Sequence, residues 1–310
     1  MTTAVNDGTV RHRIGRDGSF ALRTTTGSVR LRGTDGEEVE VKATLAGGEP
    51  AAITVRRYEA GLHVEPERQS RSFLGGTIGL GLPDIHFEVS LPNTARVEVN
   101  SVSASVSGSQ LYGDSSYKLV SGDLQLTDIG GRLDAKSVSG DLSLRTGRTL
   151  EVEAVTTSGD VHVEAAQIEV LRLRSVSGDA TVVGALSAGP EHRVETVSGD
   201  LRLEPQGGLT VEASGPIVGL RSDIAGRAAG GRGRRNLVIG DGSAQLRFRS
   251  LSGQVHVAQP GTAPPQPSVE TVPPPEPMSD SLEILRALER GEIDVDDATR
   301  LLSRQEENHA

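Results

Sequence analysis

Hydrophobic and polar residues alternate with a period of two through most of residues 9–258. Such alternation places the apolar side chains on one face of a β-strand, and no stripe with the 3.6-residue period of a helix interrupts it. Clear examples are VEVKATL (39–45), HFEVSLP (86–92) and RVEVNSV (96–102). The pattern predicts an all-β fold for this part of the chain.

One phrase recurs in the middle of the chain. Its five copies are VSGDLQL (120–126), VSGDLSL (138–144), TSGDVHV (157–163), VSGDATV (176–182) and VSGDLRL (197–203), and weaker copies lie at 101–109, 213–220 and 251–257. The glycines of the five copies are 18, 19, 19 and 21 residues apart. Each copy predicts strand, turn and strand, because Gly permits a positive φ and the adjacent Ser and Asp can bond local backbone amides.

A nearly constant period favours coils that stack on one another, each strand pairing in parallel with its counterpart one coil away. A β-sandwich of hairpins is the alternative that alternation alone leaves open. We therefore predict a single-stranded parallel β-solenoid over residues 1–258. It would have an irregular β cap at about 9–100 and repeats at about 101–258. Within the cap, the apolar segment 71–84 predicts a loop over the end of the core, or alternatively a loop that inserts Leu74–Leu82 into a membrane or partner.

The chain changes character after residue 258. Prolines crowd residues 259–279 and predict an extended linker, residues 280–305 predict a helical hairpin, and residues 306–310 a disordered tail. So short a hairpin cannot bury enough apolar surface to be stable alone, so we expect it to dock on a protein partner or on another copy. Its candidate docking residues are Leu282, Leu285, Leu288, Val295, Leu301 and Leu302.

Composition narrows the function classes. The 310 residues carry a formal net charge of −10, contain no cysteine and include only seven aromatic residues. A strongly negative chain argues against nucleic-acid binding, and the absence of cysteine excludes disulfides and thiolate metal sites. No run is long and apolar enough for a membrane helix, and the first residues lack a signal-peptide pattern. We expect a cytoplasmic protein, with peripheral membrane association as the alternative.

No catalytic motif emerges, so no catalytic residue, cofactor or enzymatic activity is expected. One weak candidate metal site is the row of repeat aspartates, Asp123, Asp141, Asp160, Asp179 and Asp200, since a ladder of carboxylates offers oxygen ligands to Ca²⁺. The simpler interpretation is that each Asp bonds its own turn. A candidate anion or lipid site is the segment 226–236 with Arg227, Arg232, Arg234 and Arg235, whose alternative is a mobile insertion.

The segments FEVSLPNTARVEVNSVSASVSG (87–108) and RNLVIGDGSAQLRFRSLSGQVHV (235–257), together with the SGD repeat, resemble a bacterial family of β-solenoid domains of unknown function, often labelled putative adhesins. The resemblance covers roughly residues 20–257. Residues 282–302 resemble a short helical module that accompanies such domains and is thought to mediate oligomerisation. The resemblance implies a β-solenoid without known catalysis and a link to envelope stress.

Three hypotheses follow for function. The first is a non-enzymatic structural or interaction protein, with a rigid solenoid and the helical hairpin as a docking or self-association module. The second is an envelope sensor or adhesin-like binder of membrane or cationic peptide. The third is a polysaccharide-active β-helix enzyme, which the scarcity of aromatic residues disfavours.

Overall fold

The computed structural model describes residues 2–67, 84–231 and 234–261, which belong to one compact unit, Met1–Gly261. These residues form 21 β-strands in one continuous sheet. The first seven are β1 (Thr2–Val5), β2 (Thr9–Arg13), β3 (Ser19–Thr34), β4 (Glu38–Leu45), β5 (Ile53–Tyr58), β6 (Gly61–Pro66) and β7 (Ile85–Pro92). The next nine are β8 (Arg96–Leu111), β9 (Ser115–Leu119), β10 (Leu124–Ile129), β11 (Gly131–Ser137), β12 (Leu142–Thr156), β13 (Val161–Ser177), β14 (Ala180–Leu186), β15 (Glu191–Ser198) and β16 (Leu201–Pro205). The last five are β17 (Leu209–Ser214), β18 (Ile217–Ser222), β19 (Gly226–Gly231), β20 (Arg234–Ile239) and β21 (Ala244–Val257).

The strands pair in two rows that join along their edges. One row runs β1-β5-β6-β3-β8-β9-β11-β12-β13-β15-β21-β17-β20-β19, and the other β2-β4-β7-β3-β8-β10-β12-β13-β14-β16-β21-β18. The long strands β3, β8, β12, β13 and β21 bend and contribute to both rows. The result is a closed stack in which each coil adds one strand to each row.

The core consists of columns of inward side chains held in register by the parallel pairing. One column runs Val106, Leu124, Leu142, Val161, Ala180, Leu201 and Val255. The facing row supplies Val99, Tyr117, Ala135, Ala154, Leu173, Val194 and Phe248. All of these residues are buried except Ala180, which is half-buried. Burial of these columns is the main favourable term in holding the coils together.

The predicted fold class is wrong as stated, in two respects. First, pairing within the predicted repeats is not parallel throughout, because β17, β20 and β19 form antiparallel pairs near the C-terminal end. The strands β1, β2 and β4–β7 form antiparallel pairs at the other end, where an irregular cap was predicted. Alternation reports which face is buried but not the direction of the neighbouring strand, and short turns such as Glu59–Ala60 permit hairpins. The described residues thus form an all-β, solenoid-like closed stack.

Second, the predicted helical hairpin has no support, because the described part of the chain contains strands and no helix. Residues 280–305, on which the prediction rested, lie outside the described residues, as do the linker at 262–279 and the tail at 306–310. The helical part of the fold class is therefore withdrawn. The six candidate docking residues lie outside the described residues: Leu282, Leu285, Leu288, Val295, Leu301 and Leu302.

The last coil enters the stack out of chain order. Strand β21 pairs with β15 and β16 on one side and with β17 and β18 on the other. The chain therefore leaves the stack after β18, forms the β19–β20 hairpin, and returns to fill the gap. The segment 226–236, for which a mobile insertion was one alternative, belongs to this hairpin at the end of the stack.

Candidate interaction surfaces

The SGD turns require glycine at the same place in each coil. Gly140 has a φ of +116°, and a Cβ built there would lie 2.4 Å from the Gly122 carbonyl oxygen. Gly159 and Gly178 repeat this arrangement against the preceding coil, with φ values of +112° and +117°. Only glycine adopts this conformation without strain and leaves room for the adjacent backbone. The turns therefore stack at close range and set the Ser and Asp side chains in rows.

The repeat aspartates join consecutive coils. The Asp123 Oδ1 accepts a hydrogen bond from the Asp141 backbone N–H at 3.0 Å, and the next three links measure 2.9, 2.8 and 2.7 Å. The series ends where Asp200 Oδ1 accepts from the Gln254 N–H at 2.8 Å. We call the five residues Asp123, Asp141, Asp160, Asp179 and Asp200 the acidic row. Each carboxylate thus bonds the turn of the next coil rather than its own.

This geometry gives the acidic row a structural role that needs no ion. One oxygen of each carboxylate satisfies a turn amide, and bonds between a carboxylate and a backbone N–H are stronger than neutral ones. Among the described residues, no group of three or more His, Asp or Glu side chains is placed to hold a metal. The hydrogen bonds account for a regularly spaced Asp in each of these coils.

The candidate arginines do not form one cluster. Arg227 and Arg234 lie on one face of the β19–β20 hairpin, since Arg227 pairs with Val238 and Arg234 with Gly231. Arg235 lies on the other face with the buried Leu237. Arg234 also forms an ion pair with Glu212 of β17. Arg232 lies outside the described residues, as does the Leu74–Leu82 loop.

Arg235 instead lines two grooves beside β18. The first, about 980 Å³, runs between the Gly199 and Gly253 turns and β18, and the second, about 850 Å³, between β18 and the β19–β20 hairpin. Leu220, Arg221 and Arg235 line both grooves. The lining of the second includes the aliphatic side chains of Ile224, Ala228 and Leu237 beside its polar groups. The adjacent Asn236 has a buried side-chain oxygen with no hydrogen-bond partner in the described structure.

This pair of grooves combines an apolar wall with two guanidinium groups. Guanidinium groups bind carboxylate and phosphate through paired hydrogen bonds, and clefts of this size are typical of small-ligand sites. Arg221 could not be recognised from the sequence, because a lone Arg within an alternating strand gives no signal of its own. The irregularity visible in this region was the segment 226–236, which lies within a long separation between two weak SGD copies, Gly215 and Gly253.

A second feature that the sequence left unnoticed is a buried histidine. His192 of β15 is fully buried, and its Nε2–H donates to the Ser187 carbonyl at 2.9 Å. Burial lowers the pKa of His192 below its ordinary value. The side chain lines neither groove. It therefore matters for stability rather than for a binding site.

Solved structures resemble this chain over most of its length, at low sequence identity. No curated protein matches the sequence, and no helix of the described chain is long and apolar enough to cross a membrane. A crystal structure described as a putative adhesin from Bacteroides fragilis aligns at 10% identity over 82% of this chain and 97% of its own, with a TM-score of 0.37. A putative cell adhesion protein from Clostridium sporogenes aligns at 11% identity over 81% and 98%, with a TM-score of 0.25.

A third structure, described as a putative lipid binding protein from Parabacteroides distasonis, aligns at 10% identity over 80% of this chain and 95% of its own, with a TM-score of 0.29. Because all three TM-scores are low, the family assignment rests on the family model. That model, Toastrack DUF4097, matches residues 18–257, which is more than half of the chain. The match spans the stack from β3 to the end of β21, so the chain belongs to the Toastrack DUF4097 family of domains of unknown function.

Proposed function

We propose that this protein is a non-enzymatic scaffold, whose stack of coils holds a repeated outer surface in fixed positions for binding to other macromolecules. Its family has no established activity, so the proposal is supported by the geometry of the stack itself. The acidic row is the observation that carries it. Five charged side chains link consecutive turns across five inter-coil contacts.

These links add to backbone pairing that is already continuous in both rows of strands. A scaffold needs these additional hydrogen bonds between coils, because its surface positions must keep their spacing. A single binding loop does not need them. The coil spacing of about 4.8 Å then fixes where every outward side chain lies relative to its neighbours.

Stiffness is testable by a distance measurement between two spin labels. The native chain has no cysteine, so Gly36→Cys and Gly207→Cys together give two unique attachment sites. Both glycines are exposed, and a Cβ at either meets no close neighbour. The sites are separated by six coil steps of about 4.8 Å, or about 29 Å of stack.

A stiff stack predicts one narrow distance distribution in double electron–electron resonance. Each single-label variant serves as the control, because it reports only distances between different copies, and dilution with unlabelled chain removes these. A broad or multiple distribution in the diluted double-label sample would contradict a scaffold function.

The two grooves beside β18 favour a second candidate function, binding of an anionic group that carries an apolar tail, such as a lipid headgroup with its chain. Arg221 and Arg235 would hold the anion while Leu220, Ile224 and Leu237 line the apolar part. The Arg221→Gln, Arg235→Gln double variant should then lose co-sedimentation with anionic vesicles at low salt. A matched control is the Arg30→Gln, Arg32→Gln variant, which changes two exposed arginines of β3 far along the stack. Equal sedimentation of both variants would exclude this site.

A further inference from the structure

A row of exposed aliphatic side chains follows the SGD edge of the stack. Its members are Val102, Val120, Val138, Val176, Val197 and Leu251, each between 44% and 59% exposed. Thr25 and Thr157 hold the same position in two further coils. We call the six apolar residues the aliphatic row.

Hydrogen bonds prove that the aliphatic row is in register. The backbone N–H of Ser121, which follows Val120, donates to the Val102 carbonyl at 2.7 Å, and the next coil repeats this bond between Ser139 and Val120 at 2.9 Å. Further along, Ser177 pairs with Ser198 and Ser198 with Ser252. From Val102 to Leu251 there are six coil steps, so the row is about 29 Å long.

The fold does not need these side chains for its core. In each coil the residue before the row and the first residue after the turn point inward, as Ser137 and Leu142 do on either side of Val138, and both are buried. The row itself lies outside that core. Exposed apolar residues scattered singly are ordinary, but an aligned row of six marks an interaction surface.

Charge differs on the two sides of the aliphatic row. Two residues earlier in each coil lies a basic row: Arg23, Lys118, Lys136, Arg174 and Arg249, with Asn100, Val155 and Glu195 in the remaining coils. It contains two of the three lysines of the chain. Three residues later, in the five coils from Val120 to Val197, lies the acidic row, whereas Ser105 and Gln254 hold this position in the coils of Val102 and Leu251. The ion pairs of the basic row, Arg174 with Glu195 at 3.2 Å and Lys136 with Asp134 at 3.8 Å, join an exposed cation to a half-buried carboxylate near the surface and hence are weak.

This order of basic, aliphatic and acidic rows selects one arrangement of a second copy. If two stacks face each other across their aliphatic rows in the same direction, the two-fold axis lies along the stack. The basic row of each copy then faces the acidic row of the other, with Lys118, Lys136 and Arg174 opposite Asp123, Asp141 and Asp179; in one coil Glu195 lies opposite Asp200. If the stacks run in opposite directions, the basic rows face each other and so do the acidic rows, which is unfavourable. Only a partner with the same coil spacing also matches the row at every step.

Resting on the scaffold function proposed above, we infer that the aliphatic row is a self-association surface, on which a second copy of this chain packs side by side and in parallel. The contact is isologous, so each residue of the row lies opposite itself. Apolar burial along the row and charge complementarity beside it act together.

Disulfide formation tests the arrangement, since the full-length chain offers a background without cysteine. The variants Val120→Cys and Val197→Cys lie near opposite ends of the row. In the parallel arrangement each forms a covalent dimer by itself under mild oxidation. In an antiparallel arrangement centred on Thr157, neither variant forms a covalent dimer by itself. A mixture of the two variants does, because positions 120 and 197 lie at equal distances from Thr157 and therefore face each other. Gln125→Cys, an exposed outward position of β10, is the control that should stay monomeric.

Sedimentation velocity of the full chain supplies a second, independent readout. Replacing Val120, Val138, Val176 and Val197 by Thr keeps the β-branched side chain that Thr157 already has at this position, so the turn is retained, as circular dichroism can verify. The dimer dissociation constant should rise by roughly tenfold or more. Lys118→Glu with Lys136→Glu should raise it as well, most strongly at low salt.

The outcomes are decisive. A monomeric native chain, a dimer that survives the four Thr substitutions, or cross-linking only in the mixture would each overturn the inference. These results are separable from failure of the scaffold function. A narrow spin-label distance within a monomer leaves the scaffold standing and removes only the self-association surface, whereas a broad distance removes the scaffold.

Discussion

The middle of the stack, from β8 to β16, differs from its two ends in how the turns are held. In the middle, the glycine turns of consecutive coils pack on one another, and an aspartate carboxylate in each turn accepts a hydrogen bond from a backbone N–H in the turn of the next coil. At the ends, antiparallel strands are joined by open turns such as Gly47–Gly48, which have no neighbour within 4 Å of a built Cβ. The SGD turns of the middle are thus specified one by one, whereas the ends combine open turns such as Gly47–Gly48 with close-packed ones such as that at Gly8.

The largest difference is expected for glycine substitutions. Gly140→Ala in the middle combines a positive φ with a Cβ 2.4 Å from a backbone oxygen, whereas Gly48→Ala at the end has a φ of +83° and no contact. Backbone strain alone costs about 1–2 kcal/mol, and overpacking against backbone adds a further 1–3 kcal/mol. Urea denaturation should therefore show Gly140→Ala about 3 kcal/mol less stable than the native chain, and Gly48→Ala about 1 kcal/mol less stable. Equal losses would mean that the turn stack relaxes freely.

The acidic row gives the next largest difference. Asp160→Ala removes the acceptor of the Asp179 N–H, which should lower the free energy of unfolding by about 1–2 kcal/mol. Asp160→Asn keeps an oxygen in place and removes one of several like charges, so we expect it to lose much less.

The matched change at the N-terminal end is Asp7→Ala, whose carboxylate bonds only the exposed Thr9 N–H at 3.3 Å. That variant should be within about 0.5 kcal/mol of the native chain. If Asp160→Asn were as damaging as Asp160→Ala, the negative charge rather than the hydrogen bond would be what links the coils.

These contrasts also show which features of the structure the sequence could predict. The SGD spacing predicted the turn positions and the row of aspartates, because a repeated residue in stacked coils must recur at one place. It did not predict that Asp123 bonds the amide of Asp141, since a local turn and a neighbouring coil offer the same kind of donor. Nor did it reveal that β21 enters between β16 and β18, because parallel neighbours need not be consecutive in the chain.

The interaction surfaces were harder to predict than the fold. Val120 and Val138 were counted as part of the repeated phrase, and only the structure distinguishes them as outward residues next to the buried Leu119 and Ser137. Arg221 gained meaning only when the β19–β20 hairpin placed Arg235 beside the same groove. The anion and metal candidates depended on distances between residues far apart in sequence, which alternation does not report.

A smaller effect, and one that depends on pH, is expected where β21 joins the regular coils. His192 pairs with Leu246 there, and burial lowers its pKa, so the unfolded chain binds a proton at a higher pH than the folded chain does. Its stabilising contribution is complete above the unfolded pKa of about 6.5 and is lost as the pH falls toward the lowered folded value, by at most about 1.4 kcal/mol per pH unit. A protonated Nδ1 would also be a buried donor without a partner.

Urea denaturation at a series of pH values from neutral to mildly acidic measures this effect. His192→Gln, which does not titrate, should flatten the acid side of the profile while lowering stability near neutral pH. His63, whose pKa burial also lowers, remains in both proteins and so cancels in the comparison. An unchanged profile in the variant would assign the acid sensitivity to other groups.

The smallest changes in the free energy of unfolding should come from ion pairs between outward side chains of neighbouring strands. For these pairs, the middle and the ends of the stack should not differ. Arg11 pairs with Glu40 at 2.8 Å at the N-terminal end, and Arg132 pairs with Glu153 at 3.0 Å in the middle, all four side chains being well exposed. Exposed pairs contribute about 0–1 kcal/mol wherever they lie, so Arg11→Gln and Arg132→Gln should each change the free energy of unfolding by about 0.5 kcal/mol or less. If Arg132→Gln alone lowered the free energy of unfolding strongly, ion pairs on the strand faces as well as the SGD turns would stabilise the middle of the stack. Equal, small losses would mean that the additional stability of the middle comes from its turns, where the glycines pack closely and the carboxylates accept hydrogen bonds.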